Sequence, residues 1–186
     1  MKKMKTFFGV AAIVMLSYSV NAQTGTPEKP EVLKKILAMT GNWEGTGTMK
    51  EGGNTTNFPY ILNVKKTAAG TGILALEEAD IPGMGKMIGT NIAGYNSEEG
   101  LIHWYTIDNM GTTHDHLGKL VDKNHFQMVY EIKTKDNKAF KELIDVIFDG
   151  TDKLNMNLVI TVDGQEQVVE TASLTRKVNA PKPAVK

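Results

Sequence analysis

Beyond residue 41 the chain alternates. Phe58, Tyr60, Leu62 and Val64 fall on one side of an extended segment. Leu154, Met156, Leu158, Ile160 and Val162 fall on one side of another, opposite Asn155, Asn157 and Thr161. A period of two means strands with one buried and one wet face. Ten such segments are predicted: Asn42–Met49, Asn57–Lys66, Gly72–Glu78, Gly85–Tyr95, Leu101–Ile107, Thr112–Val121, His125–Thr134, Phe140–Phe148, Lys153–Val162 and Glu166–Arg176. Turn residues separate them, among them Glu51-Gly52-Gly53-Asn54, Ile81-Pro82-Gly83, Asp149-Gly150 and Asp163-Gly164. Before them the period is helical. Leu33, Ile36 and Leu37 follow Pro30 at i, i+3, i+4, and Gly41 is a natural stop, which predicts one short helix over Glu31–Met39.

Short, evenly spaced strands joined by tight turns indicate an antiparallel meander. An open sheet of ten strands would leave two edges and one face uncovered, and closure removes both problems. The expected fold is therefore all-β: an up-and-down barrel of eight to ten strands, with the helix as a plug at one end.

The N-terminus has a different pattern. Lys2, Lys3 and Lys5 precede an apolar run from Phe7 to Leu16, and Val20-Asn21-Ala22 follows with small residues at the positions a signal peptidase reads. The run is too short to span a bilayer, and no lipoprotein cysteine follows it. Residues 1–22 are expected to be a cleaved signal peptide, and the mature protein to be periplasmic or extracellular with no membrane span. Residues 23–30 read as a flexible leader, 31–176 as the barrel domain and 177–186 as a disordered tail. Cleavage removes three lysines and leaves 18 basic against 21 acidic side chains. That balance gives no electrostatic support for nucleic-acid binding. The chain has no cysteine, which excludes disulfides, thiol nucleophiles and thiolate metal sites. Oligomeric state has no signature in the sequence.

Gly41-Asn42-Trp43-Glu44-Gly45-Thr46-Gly47 resembles the G-x-W-x-G-x-G start shared by lipocalin-like and nitrobindin-like barrels. Ile81-Pro82-Gly83-Met84-Gly85, then Gly94-Tyr95-Asn96, Asp108 and Met110-Gly111-Thr112 resemble the bacterial lipocalin-like family called domain of unknown function 1579. The family's Trp-Ile-Asp tryptophan aligns with Thr106, whereas this chain has Trp104. The resemblance implies a calycin-type barrel and carries no activity. Trp43 is expected to plug the barrel, and Gly45 and Gly47 to permit bending or close packing.

Standard catalytic signatures are absent: there is no P-loop, no H-E-x-x-H and no G-x-S-x-G. Acidic pairs such as Glu77-Glu78 and Glu98-Glu99 read as solvated. If Ile107 pairs with Thr112 across the turn, His103 faces His116 and Tyr105 faces His114, so His103, His114 and His116 share a patch. Three imidazoles with open positions suit Zn²⁺, Cu²⁺ or Fe²⁺, but patches at i, i+2 are weakly specific, and the plainer reading is polar groups on the wet face or lumen residues hydrogen-bonded to Tyr or Asp115. The face is left open by the parity of the Asp122-Lys123-Asn124 turn. Nitrobindin-like barrels ligate haem through a histidine on a late strand, and this chain has none after His125, which counts against haem.

Three function classes follow. The leading one is a barrel binding a small apolar ligand, with Phe58, Tyr60, Leu62, Met128, Tyr130, Leu158 and Ile160 as candidate lining and with methionines, Met49, Met84, Met87, Met110, Met128 and Met156, as a soft wall. A metal-dependent enzyme or redox protein built on the histidine patch is the second. An envelope interaction protein with a filled core is the third.

Overall fold

A computed structural model describes residues 30–177. The expected signal peptide, the leader up to residue 29 and the tail from residue 178 lie outside the described residues. Helix α1 (Glu31–Ala38) is followed by β1 (Gly41–Glu51), β2 (Asn54–Lys66), β3 (Gly72–Ile81), β4 (Gly85–Asn96) and β5 (Leu101–Asp108). The chain continues with β6 (Thr113–Asp122), β7 (His125–Lys133), β8 (Ala139–Asp149), β9 (Lys153–Val162) and β10 (Gln165–Arg176). Each strand pairs antiparallel with its sequence neighbours, and β1 pairs with β10 to close the barrel. No sheet edge is left unpaired, which answers the aggregation hazard of so many strands.

The two ends of the barrel differ. Helix α1 lies across one of them. Ile36 and Met39 on its inner face are fully buried, and Leu33 nearly so. Trp43 is also fully buried, and its indole N–H donates to the Met39 carbonyl at 2.7 Å. Arg176, at the end of β10, lays its guanidinium 4.0 Å from the Trp43 ring centre. Its Nη2 donates to the Ala38 carbonyl at 2.8 Å, its Nη1 to Thr40, and its Nε to Thr151 at 3.0 Å. One arginine thus ties the helix C-terminus, the first strand and the β8–β9 turn together. Its positive charge also suits the carbonyls left open at a helix end.

Two inward glycines of β1 make room in the wall. A Cβ on Gly47 would stand inside the Phe58 ring, and one on Gly45 would meet the Ser173 carbonyl across the closing β1–β10 pair. Phe58 therefore packs flat over Gly47, its partner on β2. Toward the opposite end the interior is open. This mouth is rimmed by the β1–β2, β3–β4, β5–β6, β7–β8 and β9–β10 turns, because in an up-and-down barrel alternate turns share an end.

The β5–β6 hairpin differs from expectation by one residue. Ile107 pairs with Thr113, not Thr112. Asp108 causes this. Its carboxylate accepts from the backbone N–H groups of Met110 at 2.8 Å and Thr112 at 3.0 Å and from the Thr112 hydroxyl. Asn109 meanwhile bonds back to β4 through Ile88 and the Lys86 carbonyl. Residues 109–112 are consumed by the loop, so the pairing slips by one and the facing residues change.

Candidate functional site: the barrel lumen

The open half of the barrel is a cavity of about 610 Å³, within the usual range for small-molecule sites. Inward positions of all ten strands face it. Six methionines, Met49, Met84, Met87, Met110, Met128 and Met156, stand on its wall. Their flexible, polarisable thioether chains can adapt to an occupant. Tyr60, Met128, Leu158 and Ile160 also border the cavity. Leu62 lies deeper, opposite Trp43 in the packed end, and Phe58 belongs to the same core. Tyr130 stacks on the His114 ring with centres 4.3 Å apart.

The polar groups on this wall were mostly invisible to the sequence reading. The sequence alone groups Glu77 with Glu78 as solvated. In fact only Glu78 faces outward, bridged to Lys86 at 2.6 Å. Glu77 points inward and accepts the Tyr60 hydroxyl at 2.7 Å. Burial pushes the Tyr60 phenol well above its usual value, and the Glu77 charge adds to that. Burial raises the Glu77 carboxyl too, with the Tyr60 hydrogen bond opposing. Glu170, on β10 between Met49 and Leu158 on the neighbouring strands, is pushed up to about 7 by burial, with the charges of Glu77 and Glu142 adding. Asn91 accepts from the Trp104 indole at 2.9 Å and the Thr106 hydroxyl at 2.6 Å, and its amide faces the Glu77 carboxylate, favouring the charged form.

The histidine patch is rearranged by the register slip. His103 pairs with Leu117 and Trp104 with His116. His103 therefore sits on the outer face, where its Nε2 lies 2.6 Å from Glu99 and its Nδ1 3.5 Å from Asp115. The Glu99 hydrogen bond raises its pKa. The structure does not bring His103 to the other two. His114 and His116 point into the lumen, and the third group beside them is Glu142 of β8. The same carboxylate oxygen lies 2.6 Å from His114 Nδ1 and 3.1 Å from His116 Nε2. His116 and Glu142 are buried, and His116 Nδ1 has no partner. One ligand atom from each of the three lies within 4.8 Å of the others, a spacing that can hold a divalent cation. Two imidazoles and a carboxylate, with further positions open to the lumen, suit zinc and its neighbours. Glu142 had a signal in the sequence: it shares parity with Phe140, Ile144, Val146 and Phe148.

Comparison with solved structures agrees on the fold. Rv2717c from M. tuberculosis superposes with a TM-score of 0.62 at 16% identity, covering 81% of this chain and 99% of that one. An S-type phycobiliprotein lyase, CPES, from Guillardia theta gives 0.53 at 12% identity, covering 82% and 96%. A protein of the DUF3598 family from Nostoc punctiforme gives 0.54 at 15%, covering 83% of this chain and 53% of that one. The fold is a lipocalin-like barrel. No protein-family model matches the chain, and no curated protein matches it. At these identities the likeness concerns the fold alone. Among the described residues no helix is long and apolar enough to cross a membrane.

Proposed function

We propose that this lipocalin-like barrel is an exported binding protein that holds one small, largely apolar molecule in its lumen. The observation that carries the reading is the cavity of about 610 Å³, walled by methionines and aliphatic side chains and open at one end. A barrel built only as a scaffold would be filled, as its helix-plugged half is. The turn motifs at Pro82–Gly85 and Gly94–Thr112 favour placing the chain in the bacterial family of domain of unknown function 1579, and Lys2–Ala22 favours export with cleavage before Gln23.

Nile red, a neutral apolar fluorophore, should bind the mature chain saturably and one-to-one. Leu158→Trp, which fills the lumen, should weaken it at least tenfold with the melting temperature kept. Absence of saturable binding by Nile red and other neutral apolar probes would return the barrel to the interaction-protein class. Edman or mass analysis of protein recovered from its host should find Gln23 at the N-terminus.

A second reading is favoured by the His114–His116–Glu142 cluster: a bound divalent metal that coordinates part of the ligand or supports chemistry on it. Zn²⁺ would then raise the melting temperature, since a ligand of the native state stabilises it by mass action. The shift should disappear in His116→Ala and Glu142→Gln and persist in His103→Ala. Equal shifts in all three would assign it to surface binding.

A further inference from the structure

Resting on that ligand-binding reading, the charge distribution of the lumen narrows the class of ligand. Among the described residues five carboxylates, those of Glu51, Glu77, Asp108, Glu142 and Glu170, border the cavity, and no lysine or arginine does. Three of them have partners within the protein. Glu77 accepts the Tyr60 hydroxyl, Asp108 caps its own turn, and Glu142 meets two imidazoles. Glu51 is exposed at the rim. Glu170 is different. It projects from the middle of β10 onto the apolar part of the wall, flanked across the sheet by Met49 and Leu158, and among the described residues no cation or hydrogen-bond donor pairs with it. A carboxylate set among methionine and leucine side chains is costly unless something supplies the missing charge.

A second buried polar group borders the same space. His116 is 1% exposed, and its Nδ1 has no partner. Buried polar atoms are ordinarily satisfied, so an ordered water or a small rearrangement around an occupant completes its bonding.

We propose that the lumen is built for an amphipathic amine: an apolar chain or ring system carrying a protonated amino group that pairs with Glu170. An ammonium group offers three N–H donors to a carboxylate in a low-dielectric setting, where such a bond is strongest. The methionine sulfurs accept the apolar remainder. A fatty acid, the usual expectation for an apolar barrel, would bring a further anion into an acid-lined space whose two imidazoles, His114 and His116, already meet Glu142. The metal-type cluster does not include Glu170, so cation and amine seats are separate.

The test uses the mature chain and a matched series, decylamine, decanol and decanoate, each competing with Nile red at pH 7.5. Decylamine should bind between about tenfold and a hundredfold tighter than decanol, the range for a hydrogen bond to a charged group, and decanoate should bind more weakly than either. Glu170→Gln should bring the ratio of decylamine to decanol affinity close to one, because the isosteric amide keeps the shape and loses the charge. Lowering the pH to 5 should shrink the advantage in the wild type and not in the variant. Equal affinity for decylamine and decanol, or an advantage that survives Glu170→Gln, overturns the amine assignment while saturable decanol binding keeps the binding-barrel reading intact. If none of the three displaces Nile red and Nile red itself does not saturate, the broader reading fails with it.

Discussion

Glu170 is the residue at which the stability of the fold and the use of the lumen conflict. Its folded-state pKa of about 7 stands above the ordinary glutamate value of 4.5. The sign follows directly. A carboxyl raised on folding binds its proton more tightly in the native state, so it costs no stability below pH 4.5 and destabilises progressively as pH rises from there through 7. The full cost above that window is roughly 3 kcal/mol at 1.36 kcal/mol per unit. Glu77 shifts in the same direction. Glu170→Gln should therefore melt with the wild type at pH 4.5 and several degrees above it at pH 8, measured by calorimetry across that range. A pH-independent difference would assign the effect to packing. The two lumen histidines show a different residue-scale device. They share one oxygen of Glu142, so His116→Ala leaves a buried carboxylate with one partner fewer and a cavity beside Trp104. His103, on the outer face, can be replaced at little cost, since exposed ion pairs contribute about 0–1 kcal/mol.

Single elements decide the geometry of the site through their ends. The β5–β6 turn places His114 and His116 inside because Asp108 holds residues 109–112 as a loop. Partial burial acts against the Asp108 charge, but the bonds from Thr112 and Met110 outweigh it and hold its carboxyl below the usual aspartate value of 3.8. Asp108→Ala should cost about 1–2 kcal/mol at neutral pH, typical of hydrogen bonds to a charged acceptor. A carboxyl lowered on folding contributes stability above its unfolded pKa and loses it as pH falls through the folded one. The gap between variant and wild type in urea melts should hence close below pH 4. Helix α1 depends on packing more than on its own propensity, as eight residues are too few to hold a helix in water. Trp43 is its anchor. Trp43→Ala should lose about 3–5 kcal/mol, the cost of emptying a large aromatic site. Arg176→Ala should lose less and chiefly loosen the helix, seen as faster amide exchange in α1 than in β6 and β7.

At the scale of the molecule, closure is the decisive event. Ten strands enclose more space than eight, since diameter grows with strand number, and the helix plug fills only one half. The remaining space is the proposed ligand site. The closing pair β1–β10 joins residues 117 to 133 positions apart, from Glu51–Val168 to Trp43–Arg176, which makes it the contact with the largest loop-closure cost. Gly45 lies in that pair, where any Cβ would collide with the Ser173 carbonyl backbone. Gly45→Val should therefore unzip β1 from β10 specifically. Hydrogen exchange should show protection lost in those two strands first, while the β3–β4 hairpin keeps it. Uniform loss across all strands would mean that the barrel opens only by global unfolding.

The sequence by itself determined the architecture. Alternation with period two, broken by Asp-Gly and Gly-rich turns, encodes strand number and order, because each strand must bury one face and short turns permit only neighbouring antiparallel partners. It also placed Tyr60, Met128, Leu158 and Ile160 on apolar faces, and the parity that puts Glu142 inward was readable beside Ile144 and Val146. The tertiary structure alone decided which polar groups meet. A loop one residue longer than a tight-turn reading allows took His103 out of the lumen and joined His114 and His116 to Glu142, a residue 26 positions beyond His116. Only closure showed that Glu77, Glu142 and Glu170, from β3, β8 and β10, face one space that, among the described residues, no lysine or arginine borders. Local pattern encodes which face is buried. The partners across that buried space follow from register and closure, and a slip of one residue is enough to change them.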